Sequence, residues 1–266
     1  MNKLKPLPIF TIKERDFLVD INQQVLREVE RPANEISFVD DMKDLGTHYV
    51  LCYDVERGVK YREADQHYSS SETWINVPLM IELDPEGMAA KYGLTTDQLK
   101  GKTDFEVIVD QDALEQRLAG VLPRIHIAGE VFIIDLRLHE LRHAKNFHLV
   151  LSLKSFDLTP DRWKYEAYYH PYIKQVVEID PKLTELPDSV VRIRLPNEVG
   201  LDPVGTARRY GMEESALLRR YPIQKELKAE IISLSETDLP ALIQRNREQL
   251  RREHQEITRQ MKPKQR

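Results

Sequence analysis

The strongest constraint on this chain is that it resembles itself. Pro8–Arg27 (PIFTIKERDFLVDINQQVLR) and Pro123–Arg142 (PRIHIAGEVFIIDLRLHELR) align without a gap at an offset of 115, with six of 20 positions identical. The identities are Pro8/Pro123, Ile12/Ile127, Phe17/Phe132, Asp20/Asp135, Leu26/Leu141 and Arg27/Arg142. Further along, Leu83–Gly93 (LDPEGMAAKYG) and Leu201–Gly211 (LDPVGTARRYG) share seven of 11 positions at an offset of 118. Tyr49 and Tyr165 fall between these blocks at 116. Matches in one order with slowly growing offsets predict two copies of a unit of about 115 residues, separated by small insertions. Copy one is expected at 1–117, copy two at 118–235, and a C-terminal helix with a basic tail at 236–266. Any fold assigned to one copy must also suit the other.

Each copy predicts the same layout. It opens with a β-hairpin, 9–12 with 16–21 and 124–127 with 131–138, where Ala128-Gly129 supplies a turn. Strands are expected at 49–53 and 74–83 in copy one, and at 164–169, 173–179 and 190–195 in copy two. Alternating polarity in Val191-Arg192-Ile193-Arg194-Leu195 suits a half-exposed strand. The shared LDP…YG block reads as a short helix. Asp84 or Asp202 can cap it, Pro85 or Pro203 fits its first position, and Gly93 or Gly211 fits just past its end. Thr95 and Gln98 have the spacing of a capping box for another short helix, ended by Gly101. Strands over 105–109 and 227–234 should follow, then helices over 112–120 and from Asp238 onward. Short helices among strands, without regular βαβ alternation, predict an α+β fold. Polar stretches at 66–72 and 180–188 read as linkers.

Composition narrows the function. A net charge of −5 excludes a wholly basic nucleic-acid packer. The lone Cys52 excludes an internal disulfide framework and a multi-cysteine zinc site within one chain. No stretch approaches the roughly 18 apolar residues of a membrane span, and the residues from Met1 to Phe10 contain no continuous apolar core of a signal peptide. A cytoplasmic protein without a membrane partner is expected.

Several motifs carry chemistry on paper. His139-Glu140-Leu141-Arg142-His143 matches HExxH, in which helical histidines at i and i+4 hold zinc and the Glu acts as general base. The aligned stretch of copy one, Gln24-Val25-Leu26-Arg27-Glu28, has no such ligand set, and the motif directly follows a predicted strand. A solvated strand-to-turn segment is therefore the expected reading, with a zinc hydrolase as the enzymatic alternative. Gly101-Lys102-Thr103 lacks the earlier glycine of a phosphate loop, since Thr96 stands there. Cys52 lies in an apolar strand and reads as core. Asp20 and Asp135 each end an apolar strand and read as turn formers.

Ala89, Gly93, Leu94 and Leu99 have the spacing of a helix-turn-helix, as do Ala207, Gly211, Met212 and Leu217. Acidic Glu213 and Glu214 would begin the second copy's recognition helix and face phosphates unfavourably, with Arg219 and Arg220 as partial compensation.

The charge is unevenly distributed. From Arg245 onward the chain carries eight basic and three acidic residues, a net of +5, which leaves residues 1–244 at −10. Arg245, Arg247, Arg251, Arg252, Arg259, Lys262 and Lys264, with Arg219 and Arg220, are the expected contact residues for a partner or nucleic acid. Ile243, Leu250 and Ile257 recur every seven residues along the expected helix 238–260, a stripe too narrow for a free-standing coiled coil. The expected function is a non-catalytic accessory protein that engages a protein partner or a second copy, with no cofactor. A DNA- or RNA-binding protein using the helix pairs or the tail is the first alternative.

Overall fold

The computed structural model describes residues 6–61, 71–224 and 226–261, with side chains described as far as Ile257. It mixes antiparallel sheets with short helices, an α+β fold. The chain divides between Gln111 and Asp112 into two compact units.

The first unit opens with an antiparallel meander of β1 (Ile9–Ile12), β2 (Arg15–Asp20), β3 (Val25–Glu28) and β4 (Glu35–Ser37). Alternation along the strands puts Phe17, Val19, Leu26 and Ile36 on its buried face. A second sheet forms around β6 (Tyr49–Asp54), which pairs with β5 (Lys43–Asp44), β7 (Val59–Lys60) and β8 (Glu72–Val77). Tyr49, Leu51 and Tyr53 are fully buried along β6. Four short helices close the unit: α1 (Met80–Leu83), α2 (Pro85–Tyr92), α3 (Thr96–Leu99) and α4 (Asp104–Ile108).

The second unit begins with α5 (Gln111–Leu118), which starts at the boundary and which the sequence assigns to copy one. Its meander is β9 (Arg124–Ile127), β10 (Glu130–Asp135), β11 (Glu140–His143) and β12 (Val150–Ser152). Its second sheet centres on β14 (Lys164–His170), flanked by β13 (Asp157–Leu158), β15 (Gln175–Val177) and β16 (Val191–Pro196). Helices α6 (Glu198–Leu201) and α7 (Pro203–Arg209) follow. Then β17 (Leu227–Lys228) adds in parallel to β9, and β18 (Glu230–Ile232) adds to β16. The last element is α8 (Leu239–Met261).

Corresponding positions behave alike in the two units. Left-handed backbone occurs at Lys13 and Ala128, Gln24 and His139, Gly46 and Arg162, Gly58 and Lys174, and Gly93 and Gly211. These pairs have the offsets of the sequence alignment, rising from 115 to 118. Strand registers match too: Phe17 faces Glu28 as Phe132 faces His143, and Tyr49 faces Val77 as Tyr165 faces Leu195.

The LDPxG block has a mechanical explanation. Asp84 and Asp202 each precede their helix and accept a bond from the backbone N–H of Gly87 or Gly205. A Cβ on either glycine would stand 2.1 or 2.2 Å from that carboxylate, so glycine is what lets the cap close.

Several elements differ from expectation: β3, β4, β5, β7, β11, β12 and β13 are not anticipated by the sequence, and the strands expected over 131–138 and 173–179 shorten to β10 and β15. Where a strand is expected over 105–109, α4 (Asp104–Ile108) forms instead, because Thr103 and Glu106 make a capping box at its start. The strand expected over 74–83 stops at Val77 and gives way to α1. In place of one strand over 227–234, β17 and β18 join different sheets, and Leu234 begins a short 3-10 turn. The linker at 66–72 lies mostly outside the described residues, whereas 180–188 is a loop.

Candidate functional site

The second unit contains an open cavity of about 580 Å³ between the β10–β11 turn and α7. Both walls are built by local sequence. Asp135 accepts bonds from the backbone N–H groups of Arg137 and Leu138, which folds the turn and places His139 in the left-handed region. Opposite, the Asp202 cap starts α7, and one and a half helical turns later come Arg208 and Arg209. From α5, Arg117 reaches Asp202 through two nitrogens, Nε at 3.0 Å and Nη2 at 2.7 Å. Both partners are almost fully buried.

The cavity lining carries Arg117, Arg137, Arg208 and Arg209 with His139, against only two carboxylates, Asp135 and Asp202. Both aspartates are engaged, one as a turn former and one as a helix cap bonded to Arg117. Further counter-ions stand outside the lining: Arg208 Nε donates to Glu214 at 2.6 Å, and Arg209 Nη1 donates to both Glu198 oxygens at 3.0 and 3.1 Å. His139 Nδ1 is 3.4 Å from the same Glu198. Burial, with Glu198 beside it, pushes the Tyr165 phenol up to about 12, so it stays a neutral donor. Arg137 Nη2 lies 3.9 Å from Asp135, so each of the four arginines has a carboxylate neighbour, two of those carboxylates lying outside the lining. A second cavity of about 520 Å³ shares Arg117, Leu122 and Asp202 with the first, and is lined by apolar Val121, Pro203, Ile223 and Leu227.

The HExxH match does not form a metal-binding helix. His139 lies in the β10–β11 turn and His143 on β11. His143 is buried, with Nε2 2.9 Å from Glu130 and Nδ1 accepting from the backbone N–H groups of Lys145 and Asn146. Both ring nitrogens are thus occupied, and among the described residues no three His, Cys, Asp or Glu side chains gather as a metal site. Lys174 and His143 hold the Glu130 carboxyl down at about 2. Burial pushes the Cys52 thiol up, away from the nucleophilic thiolate.

The helix-turn-helix spacing is not realised as a reading helix. In the first unit the would-be recognition helix α3 is four residues long, and in the second unit 214–220 is a run of turns. Arg219 and Arg220 belong to that run.

Along α8 the expected basic residues divide. Leu239 and Ile243 are buried, and Asn246 donates to the Pro181 and Leu183 carbonyls, docking the first turns on the 180–184 loop. Arg247 is part of that anchor, donating to the Thr184 carbonyl at 2.5 Å. Arg245, Arg251 and Arg252 are exposed. The Arg259 side chain, Lys262 and Lys264 lie outside the described residues.

Sequence reasoning missed Arg117, Arg137, Arg208 and Arg209. One signal was available: at aligned positions Lys91 and Ala90 become Arg209 and Arg208, and Asn22 becomes Arg137. No protein-family model, no curated protein and no solved structure matches the chain. Among the described residues no helix is long and apolar enough to cross a membrane.

Proposed function

We propose that this chain consists of two diverged copies of one unit and acts as a non-catalytic accessory protein of the cytoplasm. In this reading the cavity of the second unit receives an acidic segment of a protein partner. The carrying observation is the convergence of four arginines and His139 on one open cavity whose outer counter-ions, Glu198 and Glu214, are absent from its lining. An incoming carboxylate gains charge-assisted bonds from guanidinium groups, of which Arg117, Arg208 and Arg209 are already held by carboxylates and lose little freedom on binding.

Fluorescence polarisation with a labelled hexaglutamate peptide, and with hexalysine as control, tests this. Hexaglutamate should bind at low salt and weaken as salt screens the cavity. The variant carrying Arg137→Glu and Arg208→Glu should lose at least about tenfold in affinity. Equal binding by the variant, or no binding of hexaglutamate at low salt, would overturn the reading.

A further inference from the structure

The turn that leads into β14 presents an aromatic and basic surface that the cavity does not use. Trp163 is 49% exposed, and its ring lies 5.9 Å from that of Tyr221, tilted by 34°. The Arg220 guanidinium stands over Tyr221 at 5.7 Å. Arg162 and Lys164 flank the tryptophan and are both exposed. An exposed indole beside a second ring and several cations offers a face on which a planar group can stack.

The surface is held rigidly. Asp161 Oδ1 accepts from the Trp163 backbone N–H and from the Thr159 hydroxyl, closing the turn from within. Asn197 clamps it from outside: its backbone N–H donates to the Trp163 carbonyl at 3.0 Å and its side-chain amide to the Arg162 carbonyl at 3.2 Å. Arg162 has φ 62, a left-handed conformation that disfavours side chains, and the corresponding turn of the first unit places Gly46 there. That first-unit turn continues Thr47-His48 where the second has Trp163-Lys164. The aromatic ring and the left-handed arginine are therefore particular to the second unit.

We propose that Trp163 and Tyr221, flanked by Arg162, Lys164 and Arg220, form a stacking platform for single-stranded nucleic acid. A planar base covers the exposed indole face, and the surrounding cations meet the adjoining phosphates. Only unpaired bases offer their faces, so a duplex does not satisfy the surface. The Lys164–Glu230 pair is solvent-exposed at both ends and yields readily to a phosphate. A proline-rich peptide also uses aromatic pairs, but it has no need of the three cations.

The chain has two tryptophans, Trp74 and Trp163, so a Trp74→Phe background isolates the platform's fluorescence. Titration with an oligothymidylate of about 20 nucleotides should quench Trp163, with affinity falling steeply as salt rises. With a labelled oligothymidylate read by anisotropy, Trp163→Ala should weaken binding about tenfold or more, while Trp163→Phe retains part of it. Arg220→Glu should weaken binding without altering the fold, read by circular dichroism. Oligothymidylate binding unchanged in both Trp163→Ala and Arg220→Glu would overturn the proposal. So would equally tight binding of a matching duplex, quenching by a polyproline peptide alone, or no binding at low salt.

Discussion

The two units solve the same structural problems with different chemistry. In the first, Lys91 Nζ donates from α2 to the Ile21 and Asn22 carbonyls at 2.7 and 3.2 Å, and Gln24 donates to the Tyr92 hydroxyl at 3.3 Å. Those bonds tie the β2–β3 turn to α2. At the matching places of the second unit stand Leu136, Arg137, His139, Arg209 and Tyr210. There Arg209 turns to Glu198, Tyr210 is exposed, and the space between turn and helix is the arginine-lined cavity. Where the first unit has a tie between turn and helix, the second has an open cavity.

The buried polar pairs diverge in the same way. On the paired strands of the first meander, Arg15 bonds buried Glu28, and Arg31 and Asn34 add further donors. On the second, Glu130 takes the place of the arginine and His143 that of the glutamate. The polarity is reversed, yet each buried group remains partnered, as the cost of leaving one unpaired requires. The start of the second-sheet helices diverges as well. α1 has no capping side chain of its own; Asp104 Oδ2 accepts from the Met80 N–H at 2.7 Å and Oδ1 from the Ile81 N–H at 3.0 Å. The same carboxylate accepts from the Tyr49 hydroxyl at 2.5 Å. In the second unit the neighbouring Asn197 caps α6 through its own side chain.

The largest effects are expected at the buried carboxylates of the two units. Arg117→Ala should cost about 3–5 kcal/mol, because it leaves Asp202 buried without its cation. Asp104→Ala should cost a comparable amount in the first unit, since three donors lose their acceptor. Native-state hydrogen exchange should show each loss confined to its own unit; a loss spread evenly over both would refute the assignment.

The capping glycines sharpen the contrast. Gly205→Ala should cost about 1–3 kcal/mol, and Gly87→Ala less, because Asp202 is pinned by Arg117 while Asp84 is half-buried and free to rotate away. Urea midpoints of the two variants give the ordering, and equal costs would remove Arg117 from the explanation. Asp84→Ala, a cap without a buried cation, should cost about 1 kcal/mol.

Acid should act on the second meander through Glu130. Its folded carboxyl titrates at about 2, below the ordinary value of 4.5, so its ion pairs stabilise the fold fully above about pH 4.5. That stability is lost as pH falls from there through 2. Glu130→Gln should be less stable than the parent at pH 6 and nearly equal to it at pH 2, as read from thermal midpoints. The smallest effect is expected at Tyr53 and Tyr169, corresponding residues that are fully buried and whose hydroxyls have no hydrogen-bond partner among the described residues. Tyr53→Phe and Tyr169→Phe should be neutral or stabilising by up to about 1 kcal/mol. A clear loss in either would reveal a partner for that hydroxyl.

Local chemistry made much of the scaffold legible in the sequence. The hairpins, the capped LDP helices, the Thr95–Gln98 box and the long last helix depend on near-neighbour periodicity and on caps three residues away, which a single strip of sequence contains. The strand expected at 105–109 failed for a related reason: its apolar run suits either structure, and the Thr103–Glu106 box decided for a helix. Other features were not legible because they join residues far apart. Asp104 caps a helix 24 residues earlier, and Arg117 meets Asp202 85 residues later. The cavity, likewise, is assembled from α5, a hairpin turn and α7, with no motif along the chain. Recurring segments, the opening hairpins and the capped helices could be read along the chain, because they depend on short-range sterics and hydrogen bonds, whereas short pairing strands such as β4, β5 and β13 could not. Only the tertiary structure decided which charges become buried pairs and which line an open wall, because Coulomb energies and desolvation depend on distances that sequence separation does not set.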